Sequence, residues 1–179
     1  MSATPHIRLA EPADARAVAV IHVEGWRAAY TGLMPEAVLA AFSIDEREQT
    51  WRDRFAGLDP SEARTMVAVI DGQVLGWAST GPCRDDDREG GDGELWALYI
   101  DPASWGRGIG RALFAAAAAD LRAHGHRALT LWVLDGNARA RRFYEAAGMH
   151  ADGAHKDEEI QGAHLPHVRY RLPLHPSQP

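Results

Sequence analysis

The stretch Glu94-Leu-Trp-Ala-Leu-Tyr-Ile100-Asp-Pro-Ala-Ser-Trp105-Gly-Arg-Gly-Ile-Gly-Arg111-Ala-Leu-Phe114 decides the fold. Its first seven residues are bulky and mostly apolar, as in a buried strand, and Asp101-Pro102 stops them. Glycines stand at 106, 108 and 110, and then Leu113, Phe114, Ala117 and Leu121 mark one face of a helix over 111–123, with Gly125 just beyond it. Ala128 to Leu134 has the apolar density of a second buried strand. Strand, helix, strand in this order predicts a parallel βαβ unit with a right-handed crossover. Glycines before a helix N-terminus expose backbone N–H groups at the positive end of its dipole, without Cβ atoms to keep an anion away. Arg107 and Arg111 add charged donors, so the loop is a candidate phosphate seat.

Spacing separates this loop from the common nucleotide loops. A Walker loop needs GxxxxGK[ST], and the only lysine in the chain is Lys156. A dinucleotide GxGxxG begun at Gly106 needs glycine where Arg111 stands, and begun at Gly108 needs it where Leu113 stands. On the loop alone, a glycine-rich connection with no ligand stays open. Downstream, Asn137 caps a helix over 138–147 that closes at Gly148. Phe143 and Tyr144 point about 100° apart on it, one toward the core and one toward a cleft.

The ordered phrases Leu98-Tyr-Ile-Asp-Pro102, Gly106-Arg-Gly-Ile-Gly-Arg111, Asn137 and Phe143-Tyr-Glu-Ala-Ala-Gly-Met149 resemble the core of the GCN5-related N-acetyltransferases, which bind acetyl-CoA. The close resemblance spans Glu94 to Met149. One departure is clear: the first loop position, Gln or Arg in the family, is Trp105, which cannot donate as those residues do. The resemblance implies an α/β fold, a mixed, mostly antiparallel twisted sheet of six or seven strands with a central parallel βαβ splay and helices on both faces. It also implies that the backbone of Leu98, Tyr99 and Ile100 pairs with the pantetheine arm. Gly106, Arg107, Gly108, Ile109, Gly110 and Arg111 would hold the pyrophosphate, and Asn137 would contact the cofactor. Tyr144 stands at the general-acid position, also against the cofactor. Glu94 is the candidate general base, acting through water; some relatives carry a base five residues before the Asn, where this chain has Trp132.

The implied reaction is acetyl transfer from the thioester to a primary amine of a small molecule or peptide. A protein N-terminus or lysine as acceptor, and a non-catalytic acyl-CoA sensor, are the alternatives. The acceptor site is expected between the first helices, with Trp26 and Tyr30, and a strand face with Trp77 and Trp96; each could equally be a core aromatic. Asp85 to Asp87 or Glu89 could attract the ammonium.

Around this core, Ile7 to Ala10 reads as a strand and Asp14 as a cap for a helix running from Ala15 to Tyr30. Pro35 opens a second helix, and Ser43 with Glu46 forms a capping box before Trp51 and Phe55. Thr65 to Ile70, Asp71-Gly72 and Gln73 to Thr80 form the clearest hairpin signal. The thirteen residues from Gly81 to Gly93 read as an exposed mobile loop, and Met149 to Ala154 with His167 to Leu172 as a terminal antiparallel pair. The length of 179 residues suits one domain, 1–174, with a flexible tail at 175–179.

The formal charge of −6 argues against a general electrostatic grip on nucleic acid or an anionic membrane. That charge is unevenly divided: residues 101–149 hold seven arginines against four acids, a local +3, leaving −9 for the rest. One cysteine, Cys83, excludes a disulfide framework. His124 with His126 and His164 with His167 are read as surface residues, so no metal is expected. No basic segment followed by an apolar core opens the chain, and no run reaches about 20 apolar residues, so a cytoplasmic protein is expected. A homodimer is plausible, with no geometry legible in the sequence.

Overall fold

Asp71 and Gly72 both take positive φ, 50° and 77°, and so turn β2 (Arg64–Ile70) directly into β3 (Gln73–Pro82). This hairpin sits inside a seven-stranded sheet in a computed structural model that describes residues 4–57, 62–87, 91–160 and 163–174. The other strands are β1 (His6–Leu9), β4 (Gly93–Ile100), β5 (Ala128–Leu134), β6 (His150–Ile160) and β7 (Ala163–Pro173). Their order is β1-β2-β3-β4-β5-β7-β6, antiparallel throughout except for β4 beside β5. The terminal pair is longer than its sequence signal, and β7 rather than β6 lies against β5. Residues 175–179, read as a tail, lie outside the described residues.

Alternation along the strands assigns the helices to two faces. Met66, Ala68 and Ala78 turn toward α4 (Ile109–Ala123), where Leu113 and Ala117 are fully buried, in a core that also receives Phe143 and Tyr144 of α5 (Ala138–Ala146). Val67 and Trp77 turn the opposite way, toward Val18 and Ile21 of α1 (Ala15–Tyr30) and Trp51 of α3 (Ile44–Phe55). Removing most of a buried side chain such as Leu113 costs roughly 2–5 kcal/mol, so both faces constrain the sheet. A short α2 (Glu36–Ala40) brings Val38 and Leu39 to Leu134 and Leu165. No described helix is long and apolar enough to cross a membrane.

Two local readings need correction. Asp14 does not cap α1: its carboxylate takes a two-pronged bond from Arg8, at 2.7 and 2.9 Å, and the Glu11 N–H at 2.8 Å. The Arg8 bond holds the Asp14 carboxyl below its ordinary range despite burial. The segment after β3 is not simply a mobile loop either. Its described part is anchored by buried Cys83, by buried Asp92 and by ion pairs from Arg169 to Asp85 and Asp87. Of the capping box read for α3, the Ser43 half is present, with Ser43 Oγ accepting from the Glu46 N–H at 3.3 Å.

Candidate active site

β4 and β5 pair only at Gly93 with Leu129 and Glu94 with Thr130, and beyond that point the strands part. On the other edge of β4, Leu95 opposes Thr80 and Ala97 opposes Ser79, which leaves Trp96 as the extra residue of a bulge. The parting strands open a cleft of about 1380 Å³ that runs from the glycine loop to the α1–α3 arm.

At the loop end, Asp101 ties down a single turn, Pro102–Ser104, by accepting from the Ala103 N–H and the Ser104 hydroxyl. Gly106 and Gly108 follow with φ near +80°, a conformation that costs other residues about 1–2 kcal/mol. Gly108 is thereby the cap of α4, which begins at Ile109, two residues earlier than the spacing predicted. The first N–H groups of α4 have no partner within the helix, and Ile109, Gly110 and Arg111, which carry them, line the cleft. Trp105, unlike the Gln or Arg of the family, donates its indole N–H to the Ile100 carbonyl at 3.1 Å. Its ring carries the Arg139 guanidinium 3.5 Å from the centroid, so the loop entrance keeps a cation that comes from α5.

Midway along the cleft stand Glu94, Asn137 and Tyr144. Glu94 is buried, 2% exposed, and accepts three bonds from Arg84: the guanidinium at 2.6 Å on Oε1 and 3.1 Å on Oε2, and the backbone N–H at 3.1 Å on Oε2. A carboxylate has about four acceptor positions, so among the described residues one position on Oε1 stays open. Asn137 Oδ1 caps α5 by accepting the Ala140 N–H at 3.1 Å. Tyr144 packs against Phe143 and Phe114, and burial pushes its phenol above the ordinary tyrosine value. The phenol therefore keeps its proton.

The far end is aromatic. Trp26 donates its N–H to the Tyr99 hydroxyl at 2.5 Å, and its ring meets Tyr30 and Phe42. Gly25 allows Tyr99 to lie on α1, since a Cβ there would stand 3.0 Å from the Tyr99 ring. Trp26, Tyr30 and Trp96 are half-buried in the cleft wall. Trp77 also lines the cleft but is only 1% exposed, packed in the core against Trp51 and His22. Trp96 donates to the Pro82 carbonyl at 3.2 Å and lies under the Arg84 guanidinium. His22 is pushed down to about 3, first by burial and then by Arg47 and Arg54, and so stays neutral.

Two members of the acidic stretch, Asp85 and Asp87, are already bound within the protein. Asp85 accepts from the Trp132 N–H and from Arg169, which also holds Asp87 and Asp152. Glu89 lies outside the described residues. His22, Arg47, Trp51, Arg54 and Arg84 also line the cleft and had not been singled out from sequence. The one available signal was His22 preceding Trp26 by four residues, on one helix face.

Residues 26–149 match the Acetyltransferase (GNAT) family. The chain belongs to that family. Among its relatives, the uncharacterized N-acetyltransferase YuaI of Bacillus subtilis is 36% identical over 141 residues, 78% of this chain and 77% of that protein. The aminoglycoside N(6')-acetyltransferase type 1 of Stenotrophomonas maltophilia is 29% identical, covering 99% of both chains. The solved structure of yncA from Salmonella typhimurium, a putative acetyltransferase with its cofactor acetyl-CoA, superposes with a TM-score of 0.70, at 22% identity and covering 99% of this chain and 98% of that one. This GNAT chain is an acetyltransferase, and acetyl-CoA is its cofactor.

Proposed function

We propose that the protein transfers an acetyl group directly from acetyl-CoA to a primary amine of a small molecule or peptide. The carrying observation is one continuous cleft in which the glycine loop, the parting of β4 from β5, Glu94 and Tyr144 all meet. The residues fit the cofactor: Gly106 to Arg111 with the open end of α4 suit a pyrophosphate. The backbone of Leu98 to Ile100, turned away from β5, suits an amide-bearing arm, and Asn137 and Arg139 stand at the opposite bank. Bound there, acetyl-CoA supplies a thioester carbon open to an amine, with a thiolate as leaving group.

An amine of pKa near 10.4 is protonated in all but about one molecule in 10³ at neutral pH, which adds some 4–5 kcal/mol to the barrier. Glu94, through a water on the open position of Oε1, takes that proton. Arg84 holds the carboxylate in place. Tyr144, kept protonated by burial, delivers its proton to the departing sulfur. Small-molecule acceptors are supported by the relative named as an aminoglycoside acetyltransferase. The sheet that runs from β1 to β6 supports reading 1–174 as one domain, and supply of acetyl-CoA supports a cytoplasmic setting.

The test is release of free thiol from acetyl-CoA across amino acids, polyamines, aminoglycosides and short peptides, with wild type, Glu94→Gln and Tyr144→Phe. Turnover that falls in both variants supports the assignment, with the acidic limb of the rate profile altered in Glu94→Gln. Tight cofactor binding without turnover on any amine would instead indicate an acyl-CoA sensor.

A further inference from the structure

The wall of the cleft carries a primary amine of its own. Lys156 of β6 lines it, whereas Arg47, Arg54, Arg84, Arg111 and Arg139 on the same wall are guanidinium cations. A guanidinium keeps its proton and is no nucleophile, while a lysine that gives up its proton is an amine of the kind that acyl transfer consumes. Lys156 is the only lysine in the chain, so apart from the N-terminus its Nζ is the only primary amine in the sequence.

Strand register turns this side chain inward. Lys156 stands opposite His167 of β7, and Glu158 stands two positions further along β6; all three line the cleft. Asp157 between them points to the other face of the sheet, where it pairs with His164 at 3.2 Å. The Lys156 ammonium rests 4.7 Å from the centroid of the Trp132 ring, and no carboxylate among the described residues pairs with it.

Trp132 links that ammonium to Glu94. Thr130 pairs with Glu94 across β5 and β4, and Trp132 is two residues further along β5. With strands about 4.8 Å apart and a rise of about 3.3 Å per residue, the Trp132 backbone lies roughly 8 Å from that of Glu94. The Trp132 indole donates its N–H to Asp85 at 3.0 Å, and the adjacent residue, Arg84, clasps Glu94 at 2.6 Å. The ring beneath Lys156 is thus tied to the same short segment that holds the proposed base. Lys156 is exposed, and its flexible four-carbon stem lets Nζ swing from the ring into the cleft.

We propose that Lys156 is a self-acetylation site, to which the enzyme transfers an acetyl group from its own bound acetyl-CoA. This rests on the proposed transfer reaction and adds an acceptor that belongs to the protein. The Lys156 ammonium gives one proton through water to Glu94, and the resulting amine attacks the thioester carbon. The N–C bond forms and the C–S bond breaks; the thiolate takes the Tyr144 proton, and the second proton leaving the nitrogen restores Tyr144. The products are acetyl-lysine, coenzyme A and one proton released to solvent. Acetylation removes the charge that the Trp132 ring holds.

The test uses the full chain with trideuteroacetyl-CoA, read by intact mass and peptide mapping, so that new acetyl groups are told from those acquired during expression. One labelled group should appear on Lys156, at a first-order rate that does not change when the enzyme is diluted. Excess desulfo-coenzyme A, which occupies the cofactor site without a thiol, should slow that labelling at least tenfold. Lys156→Arg, which keeps a cation over Trp132, should carry no label beyond the N-terminus. Labelling that ignores desulfo-coenzyme A is solution chemistry, and labelling that slows in proportion to dilution is transfer between molecules; either would overturn the inference. No label on Lys156, while free amines are still acetylated in the thiol-release assay, would overturn it and leave the transfer reaction standing. Label on Lys156 with no free amine turned over would support it and remove the small-molecule acceptor.

Discussion

The two ends of the cleft are built by different means. At the loop end the parts come from neighbouring residues: Gly106 and Gly108 set the turn, Asp101 pins the step before it, and the first turn of α4 faces the opening. The ligand-facing groups there are mostly backbone N–H, which every residue carries. At the acceptor end the parts are side chains drawn from α1, α3, β3 and β4, so that His22, Trp51, Trp77 and Tyr99 meet although they lie up to 77 positions apart. A backbone site tolerates exchange of exposed side chains but not a change of φ. The side-chain site has the opposite sensitivity, and its chemistry can alter without disturbing the cofactor.

The largest effect is expected where the two ends meet. Tyr144→Phe keeps the packing against Phe114 and Phe143 and removes the proton donor, so kcat should fall about 10²–10⁴-fold, with acetyl-CoA affinity within about twofold by calorimetry. Equal losses in both quantities would assign Tyr144 to cofactor binding instead.

Next comes the acceptor end, through the pH dependence of stability. Folded His22 titrates at about 3 and an unfolded histidine at about 6.5, so the unfolded chain takes up its proton first as the pH falls. Stability is therefore full above about pH 6.5 and drops by up to about 1.4 kcal/mol for each pH unit toward 3. His22→Phe should abolish that contribution. Urea midpoints at pH 7, 6 and 5 check it, and parallel curves for the two proteins would contradict the burial of a neutral imidazole.

A smaller change is expected at the loop. Gly108→Ala places a Cβ at φ +81°, costing about 1–2 kcal/mol, which should weaken coenzyme A binding roughly tenfold and leave acceptor discrimination unchanged. The smallest concerns Trp105→Gln, which restores the family donor and removes the platform under Arg139. Exposed cation–π contacts contribute about 0.5–1 kcal/mol, so binding should shift by no more than about fivefold in either direction.

Legibility in the sequence followed the same division. The Asp71-Gly72 turn, the Ser43 cap, the Asn137 cap and the glycine loop each depend on a few adjacent residues, and each is found where those residues predicted it. The start of α4 was misplaced because Ile109 and Gly110 read as loop, whereas Gly108 alone supplies the positive φ of the cap. The acidic stretch was read without Arg169, 84 positions beyond Asp85, which binds Asp85 and Asp87. Trp105 was legible as a departure from the family but not in its effect, which depends on an arginine 34 positions away settling on its ring.

The sequence by itself determined the hairpin, the order of the βαβ unit, the family and the glycine loop before α4. These rest on backbone conformation, and adjacent side chains, caps and glycines govern that directly. Only the tertiary structure decided that Trp77 is buried against Trp51 and His22, that Arg84 clasps Glu94, and that Arg169 binds Asp85 and Asp87. Those features depend on which distant side chains pack together, and charge in a sequence becomes charge in a site only after every nearer partner has been satisfied.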